Sequence, residues 1–332
     1  MVFQQAQASS LVSIIIPSYN RKDELMICLN SILKQDYQNI EIIVVDDNSS
    51  DGTVQMVQRQ FPQIQIIMDS VNFGPSYRRN QGILASQGEY LLFLDTDVEL
   101  QEPSIVSRMV ERLQKDNTIG EIGGEIAVYD GETKRVFGRN ISYTGHSYRI
   151  PALDGDSQLT PCDYLATCNC MVRKDVAIKS GGFDPYYEFG SEDTDFGFAI
   201  QKQGYRNFVG FPYAVHHKRV MTTGRHSDET YRYRVTRIRF LLKHYGLDRV
   251  FLLFLIDLIR IIIFYPILPF KVIAKLLLRK SVKRESFTGG WLIIKAYIWN
   301  IRHFRETLSA KTANFLSSDK MEQFRREKGQ LS

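Results

Sequence analysis

Residues 91–98 read LLFLDTDV, an apolar run of strand-like composition that ends in two acids one residue apart, Asp95 and Asp97. A buried strand that delivers two carboxylates to its exposed C-terminal end builds a site for a hard divalent cation. Mg²⁺ and Mn²⁺ take oxygen ligands and bridge one or two carboxylates to a substrate's phosphates. The same Asp-x-Asp also arises where the acids only solvate a turn or cap a helix. The rest of the chain decides between the two readings.

Upstream, strand-like runs at residues 12–17 (VSIIIP), 40–46 (IEIIVVD) and 64–68 alternate with helix-like stretches at 23–35, 53–60 and 76–86. Strands alternating with helices imply parallel βαβ units in a Rossmann-like α/β domain. In open sheets of that kind, ligands sit beyond the carboxyl ends of the strands. Three polar clusters should therefore meet on one edge: Pro17-Ser18-Tyr19-Asn20, Asp46-Asp47-Asn48-Ser49 and Asp95-Thr96-Asp97. The Asp46–Gly52 stretch also reads as a plain turn, which needs no function.

Downstream, residues 120–160 place Gly123-Gly124, Gly131, Gly138 and Gly145 among polar residues and read as loops and short strands that shape an acceptor pocket. A second cluster begins at Gly181. Ser191 stands where an N-cap is expected, with Glu192 and Asp193 in the first turn of a helix running to Gln203. Acids there are favoured by the helix macrodipole without any chemistry. They also suit a general base that takes a proton from an attacking hydroxyl.

With 332 residues and 44% apolar content, the chain can bury a large core and carry an appendage. Cys28, Cys162, Cys168 and Cys170 form no C-x-x-C pair and no dense framework, so reduced thiols are expected. The N-terminal MVFQQAQASS has neither the basic nor the apolar region of a signal peptide, which points to a cytoplasmic catalytic part. Charge is divided unevenly. Residues 1–217 hold 18 Lys and Arg against 28 Asp and Glu, a net of −10, and residues 218–332 hold 24 against 9, a net of +15. A basic segment seeks an anionic partner, either nucleic acid or a membrane face.

Taken together and in order, VSIIIPSYNR, EIIVVDDNSSDGT, NFGPSYRRNQGI, GEYLLFLDTDV and GGFDPYYEFGSEDTDFGFAIQKQGY resemble the inverting family 2 glycosyltransferases over about residues 11–217. The resemblance implies a Rossmann-like, nucleotide-sugar-binding (GT-A-type) fold and a UDP-, dTDP- or GDP-linked donor. It puts Pro17, Tyr19 and Asn20 around the nucleobase, with Asp47 accepting a hydrogen bond from the base and Asp46 supporting the turn. Gly74, Arg79 and Asn80 would approach the nucleotide. Asp95 would contact the ribose or the metal shell, Asp97 would ligate Mn²⁺ or Mg²⁺, and His216 would complete the metal site. Asp193 matches the catalytic base, and Glu192 would position the acceptor. His216 also reads as an ordinary core or surface histidine.

The Q-x-x-R-W motif of processive synthases is absent, since neither Trp291 nor Trp299 follows an arginine, and single-sugar addition is expected. Two alternatives stay open. A nucleotidyltransferase would place a Gly-rich loop with a basic residue after the first strand, where this chain has Pro17-Ser18-Tyr19-Asn20; an inert sugar-binding scaffold would keep the fold and lose the acids.

Domains are expected at residues 1–225, catalytic, and 226–332, a basic, apolar, helical extension. In the latter, residues 250–270 (VFLLFLIDLIRIIIFYPILPF) are apolar at 17 of 21 positions. Asp257 and Arg260 near the middle cost about 2.5–3.5 kcal/mol each on insertion, which disfavours a clean span. Their i, i+3 spacing lets them pair, and Pro266 and Pro269 should kink or end the helix. Basic residues follow, with Trp291, Tyr297 and Trp299 as interfacial aromatics, so peripheral attachment to the cytoplasmic face of an anionic membrane is expected, and nucleic-acid binding is not. A lipid-linked saccharide is then the expected acceptor.

Overall fold

Val12, Ile14 and Ile16 face one side of the first strand and Ile15 the other, and both sides are buried. Period-2 burial of this sort requires covering layers on both faces of a sheet. The computed structural model describes residues 10–129, 133–136, 138–150, 159–187, 190–216, 226–277 and 285–329. Its elements are β1 (Val12–Ser18), α1 (Lys22–Ile32), β2 (Ile40–Asp46), α2 (Thr53–Gln60), β3 (Gln65–Met68), α3 (Pro75–Ala85), β4 (Tyr90–Leu94), β5 (Val98–Leu100), α4 (Ile105–Lys115) and β6 (Ile119–Tyr129). There follow β7 (Thr133–Val136), β8 (Arg139–Ile141), β9 (Ser147–Arg149), β10 (Thr160–Cys162), β11 (Asn169–Arg173), α5 (Lys174–Lys179), α6 (Glu192–Lys202) and β12 (Arg206–His216). The chain closes with α7 (His226–His244), α8 (Leu247–Leu277), α9 (Glu285–Arg302), α10 (Phe304–Ser309) and α11 (Ser318–Gly329).

The main sheet is mixed, ordered β10-β12-β6-β11-β4-β1-β2-β3. β3, β2, β1 and β4 run parallel, as the βαβ alternation requires, and β11 enters antiparallel beside β4. All five residues of β4 are buried: Leu92 and Leu94 pack under α1, α2 and α4, and Leu91 and Phe93 under α3, α5 and α6. Each such side chain contributes about 1.5–3 kcal/mol by leaving water. The strand is thereby anchored on both faces, and its exit at Asp95 is fixed.

The stretch after residue 119 departs from the loop-rich expectation. Residues 119–129 form β6, an 11-residue strand central to the sheet, between β12 and β11. Its glycines serve close packing rather than turns: a Cβ on Gly120 would lie 2.3 Å from Ile200 Cγ2, and one on Gly123 2.6 Å from the Asn169 carbonyl oxygen. Gly in a strand marks close approach as often as a break, and composition alone does not separate the two. Gly145 is a turn glycine, at φ +77° between β8 and β9, and Gly131 lies outside the described residues.

The helices after residue 226 are built into the body. Arg239 of α7 pairs with Asp184 at 2.7 Å, both fully buried, and reaches Glu306 of α10. Lys243 spans Asp184 (3.2 Å) and Asp195 of α6 (2.7 Å). α11 packs back on the body, where Phe324 meets Phe73, Tyr77 and Tyr186. α8 continues to Leu277 past Pro266 and Pro269 rather than ending there. Three residues apart, the two missing N–H groups fall on one side of the helix, and the remaining turns hold it. Among the described residues, no helix is long and apolar enough to cross a membrane.

Candidate functional site

At the carboxyl ends of β1, β2 and β4 the chain opens into a cleft of about 780 Å³. Pro17, Tyr19, Asp47, Arg79, Asp95, Asp97, Glu192 and Asp193 all line it, so the three polar clusters and the α6 acids meet at one place. Sequence reasoning did not single out the other contributors, which include Arg78, Arg139, His146, Tyr164, Arg234 and Arg237, and it read Arg260 as part of the tail rather than of the site. Arg78 carried a signal in its adjacency to Arg79. Arg139 and His146 belong to the β8–β9 hairpin, Tyr164 follows β10, and Arg234, Arg237 and Arg260 lie on two helices, so only folding gathers them.

Asp47 lines the cleft and also has partners within the chain. Its carboxylate accepts the backbone N–H groups of Phe73 (2.8 Å) and Gly74 (2.9 Å) and the Arg78 Nε (2.6 Å). It thus ties the β2 exit to the start of α3. Four further candidates do not line the cleft. Asn20 bonds the backbone of Ser50 and the hydroxyl of Ser49, holding the loop after β2, and Asp46 accepts the Ser49 N–H. Gly74 gives its N–H to Asp47, and the buried Asn80 makes a reciprocal pair with the backbone of Phe183. These residues shape the site through backbone hydrogen bonds, which spacing does not reveal.

Arg79 lies at the centre. Its Nη2 donates to Asp95 at 2.7 Å and its Nη1 lies 3.5 Å from Glu192. Burial would lower the guanidinium's pKa, but Asp95 and Glu192 outweigh it and hold it above the usual range. Arg79 Nε and Glu192 Oε2 are buried without a hydrogen-bond partner among the described residues. Such orphaned atoms in a cleft mark a place prepared for a ligand.

Ser191 occupies the N-cap position of α6 in the left-handed region, φ +71°. Its side chain does not cap, contrary to expectation; it shares a hydrogen bond with Thr236 of α7 at 3.1 Å. The turn sets Glu192 and Asp193 side by side at the cleft. Burial, and then the Asp193 charge, push Glu192 up to about 7 against the pull of Arg79. Burial likewise raises Asp193, against the Thr194 N–H, Arg139 and Arg79. Carboxylates so raised take protons near neutral pH far more readily than exposed ones.

His216 ends β12 with its backbone opposite Val98, the residue after Asp97. Its side chain lies outside the described residues. Among those, no group of three or more His, Cys, Asp or Glu side chains forms a ready metal cage. The donor set at the β4 exit still fits Mg²⁺ or Mn²⁺, which bind through one or two carboxylates plus substrate phosphates: Asp97 lines the cleft, and Asp95 is 37% exposed with one oxygen on Arg79.

The tail faces two ways. Asp257 turns inward, 3.5 Å from Arg260 as its spacing implied and 3.5 Å from Arg234 of α7. Phe251, Ile259, Ile262 and Ile263 of α8, with Ile294 and Ile301 of α9, are exposed. Of the three expected interfacial aromatics only Trp291 joins them; Tyr297 bonds Asp257, and Trp299 stacks on His303 at 3.9 Å. All four cysteines are free and buried.

Comparison with known proteins agrees with this architecture. The chain is 37% identical over 102 residues to the GalNAc(5)-diNAcBac-PP-undecaprenol beta-1,3-glucosyltransferase of Campylobacter jejuni, covering 30% of this chain and 33% of that one. It spans less than half the length of the curated relatives it matches. Among solved structures, S. aureus TarS 1–349 superposes with a TM-score of 0.54 at 16% identity, over 97% of this chain and 91% of that one. GalNAc-T7 with UDP, GalNAc and Mn²⁺ gives 0.56 at 16% identity, over 71% and 48%. The family description "Glycosyl transferase family 2" matches residues 13–181, half of the chain. With the parallel β1–β4 core, the Asp-x-Asp exit and the acids of α6 inside or beside that span, the chain belongs to glycosyl transferase family 2.

Proposed function

We propose that this protein transfers one sugar from a nucleotide-sugar donor to an acceptor hydroxyl, with inversion at the anomeric carbon. The observation that carries the proposal is that the Asp95–Asp97 carboxylates and the Glu192–Asp193 pair face one cleft, with Arg79 between them. The donor lies over Pro17, Tyr19 and Arg79, its nucleoside UDP-, dTDP- or GDP-type. Asp97 and Asp95, with His216 beside them, would hold Mn²⁺ or Mg²⁺, which supplies charge neutralisation for the departing diphosphate.

Asp193 removes the proton from the acceptor hydroxyl. The freed oxygen forms a bond to the anomeric carbon from the face opposite the diphosphate, whose C–O bond breaks as the nucleoside diphosphate leaves. Glu192, held by Arg79, orients the acceptor. A single displacement needs no covalent nucleophile and inverts the centre.

The acceptor is a lipid-linked saccharide at the cytoplasmic face of a membrane. Support comes from the exposed apolar residues of α8 and α9, the net charge of +15 after residue 217 and the undecaprenol-linked substrate named for the Campylobacter jejuni relative. The test is calorimetric titration with UDP, dTDP and GDP, with and without Mn²⁺, for wild type and Asp97→Ala. Metal-dependent binding of one nucleotide, lost in the variant, supports the donor site. No nucleotide binding by folded protein would sink it.

A further inference from the structure

We infer that Arg234, Arg237 and Arg260 form an anion subsite at the acceptor end of the cleft, and that it takes the diphosphate of a polyprenyl-diphosphate-linked acceptor. This rests on the proposed transferase reading and assigns the acceptor's charged linker a place.

All three arginines line the cleft, from α7 and α8. Their only close counter-charge among the described residues is Asp257, whose Oδ1 lies 3.5 Å from both Arg234 and Arg260. The other Asp257 oxygen accepts the Tyr297 hydroxyl at 3.3 Å. Arg237 is half-buried, spends its Nε on the Thr144 carbonyl at 2.8 Å and makes no ion pair among the described residues. One carboxylate thus lies close to two of the three guanidiniums and leaves the third without an ion pair among the described residues. The excess is felt locally: burial and the charges of Arg234 and Arg260 lower Arg237 to about 10, against Asp257, and burial, then Arg237 and Arg260, lower His146.

A cluster that leaves about two positive charges partly out of water is costly without an anion. Guanidiniums suit phosphate oxygens, which they bind in pairs of parallel hydrogen bonds. The position selects among anions. Arg260 lies on α8 between Ile259 and Ile262, which are 53% and 60% exposed on the outer face. An amphiphile with its chain along that apolar face would present its headgroup to the arginines and its sugar toward Asp193.

The experiment uses the full-length chain in EDTA, with farnesyl diphosphate as probe, farnesol as control and phosphatidylglycerol vesicles in a parallel pelleting assay. Wild type is compared with Arg237→Gln, Arg260→Gln and Asp97→Ala, with near-UV circular dichroism as the folding check; the half-exposed Arg260 serves if Arg237→Gln fails to fold. The expected result is diphosphate binding weakened about tenfold or more in both arginine variants, kept in Asp97→Ala, with vesicle pelleting unchanged. Unchanged diphosphate affinity in the arginine variants overturns the inference. So does loss confined to Asp97→Ala, which puts the diphosphate in the donor site, and so does loss of vesicle pelleting alone, which makes the arginines a phospholipid contact. Nucleotide binding by the same preparations reports the donor reading separately, so the two failures are distinguishable.

Discussion

Arg79 Nη2 donates to Asp95 Oδ1 at 2.7 Å from a side chain only 2% exposed. The α3 guanidinium thereby clamps the acid at the β4 exit, and its other arm reaches Glu192. It holds down the pKa values of Glu192 and Asp193 against their burial. Arg79→Leu should raise both acids further and move the acid limb of the kcat–pH profile to higher pH. Arg79→Lys should largely restore its position. An unmoved limb in Arg79→Leu would deny the electrostatic role.

Asp193→Asn keeps the shape of the α6 turn and removes the proton acceptor. Turnover should fall by about 100-fold or more, with nucleotide affinity unchanged by calorimetry. A variant of near wild-type turnover would place the base elsewhere.

Lys243 joins two buried acids, Asp184 and Asp195, and His244 contacts Asp195 at 2.7 Å. Lys243→Met should destabilise the protein by about 3 kcal/mol, because uncompensated buried charge remains; urea unfolding measures it. Burial would raise Asp195, but Lys243 and His244 hold it well below the usual carboxylate range. Its contribution is therefore full above the unfolded value of about 3.9 and is lost as the pH falls toward the folded one. Burial lowers His244, so its share is lost as the pH falls below about 6.5, where the unfolded histidine charges. Lys243→Met should lose less stability on acidification below pH 4 than wild type.

Glu121 is fully buried in β6 beside Cys170, and burial pushes it up to about 8. A folded value above the unfolded 4.5 means that its contribution is complete at low pH and declines as the pH rises from about 4.5 toward 8. Glu121→Gln cannot ionise. Its unfolding free energy should vary less between pH 5.5 and 8.5 than that of wild type, and equal slopes would refute the assignment.

Ile262 of α8 is 60% exposed and is not among the residues that line the cleft. Ile262→Glu should weaken pelleting with phosphatidylglycerol vesicles by about tenfold, since it removes apolar contact and adds repulsion. Nucleotide binding should not change. Equal pelleting would remove α8 from the membrane-contact surface.

The sequence by itself determined the parallel β1–β4 core, because continuous apolar runs bounded by turn residues have few ways to be buried, and it determined that Asp47, Asp95 and Asp97 leave that core at one edge. It also located the α6 acids through the turn before them. Tertiary structure decided the rest. Gly120 and Gly123 read as loop residues because close packing against α6 and against β11 leaves no local signal. Asn80 looked like a ligand contact until its amide met the Phe183 backbone, 103 positions away. Arg234, Arg237 and Arg260 were three cations in a basic tail, and Asp257 was a charge interrupting an apolar run. Folding turned one side of α8 toward the cleft and the other toward solvent, since a helix repeats every 3.6 residues and one stretch can serve both surfaces. Which residues share a face is written in that period; what the face meets is fixed only when the chain closes on itself.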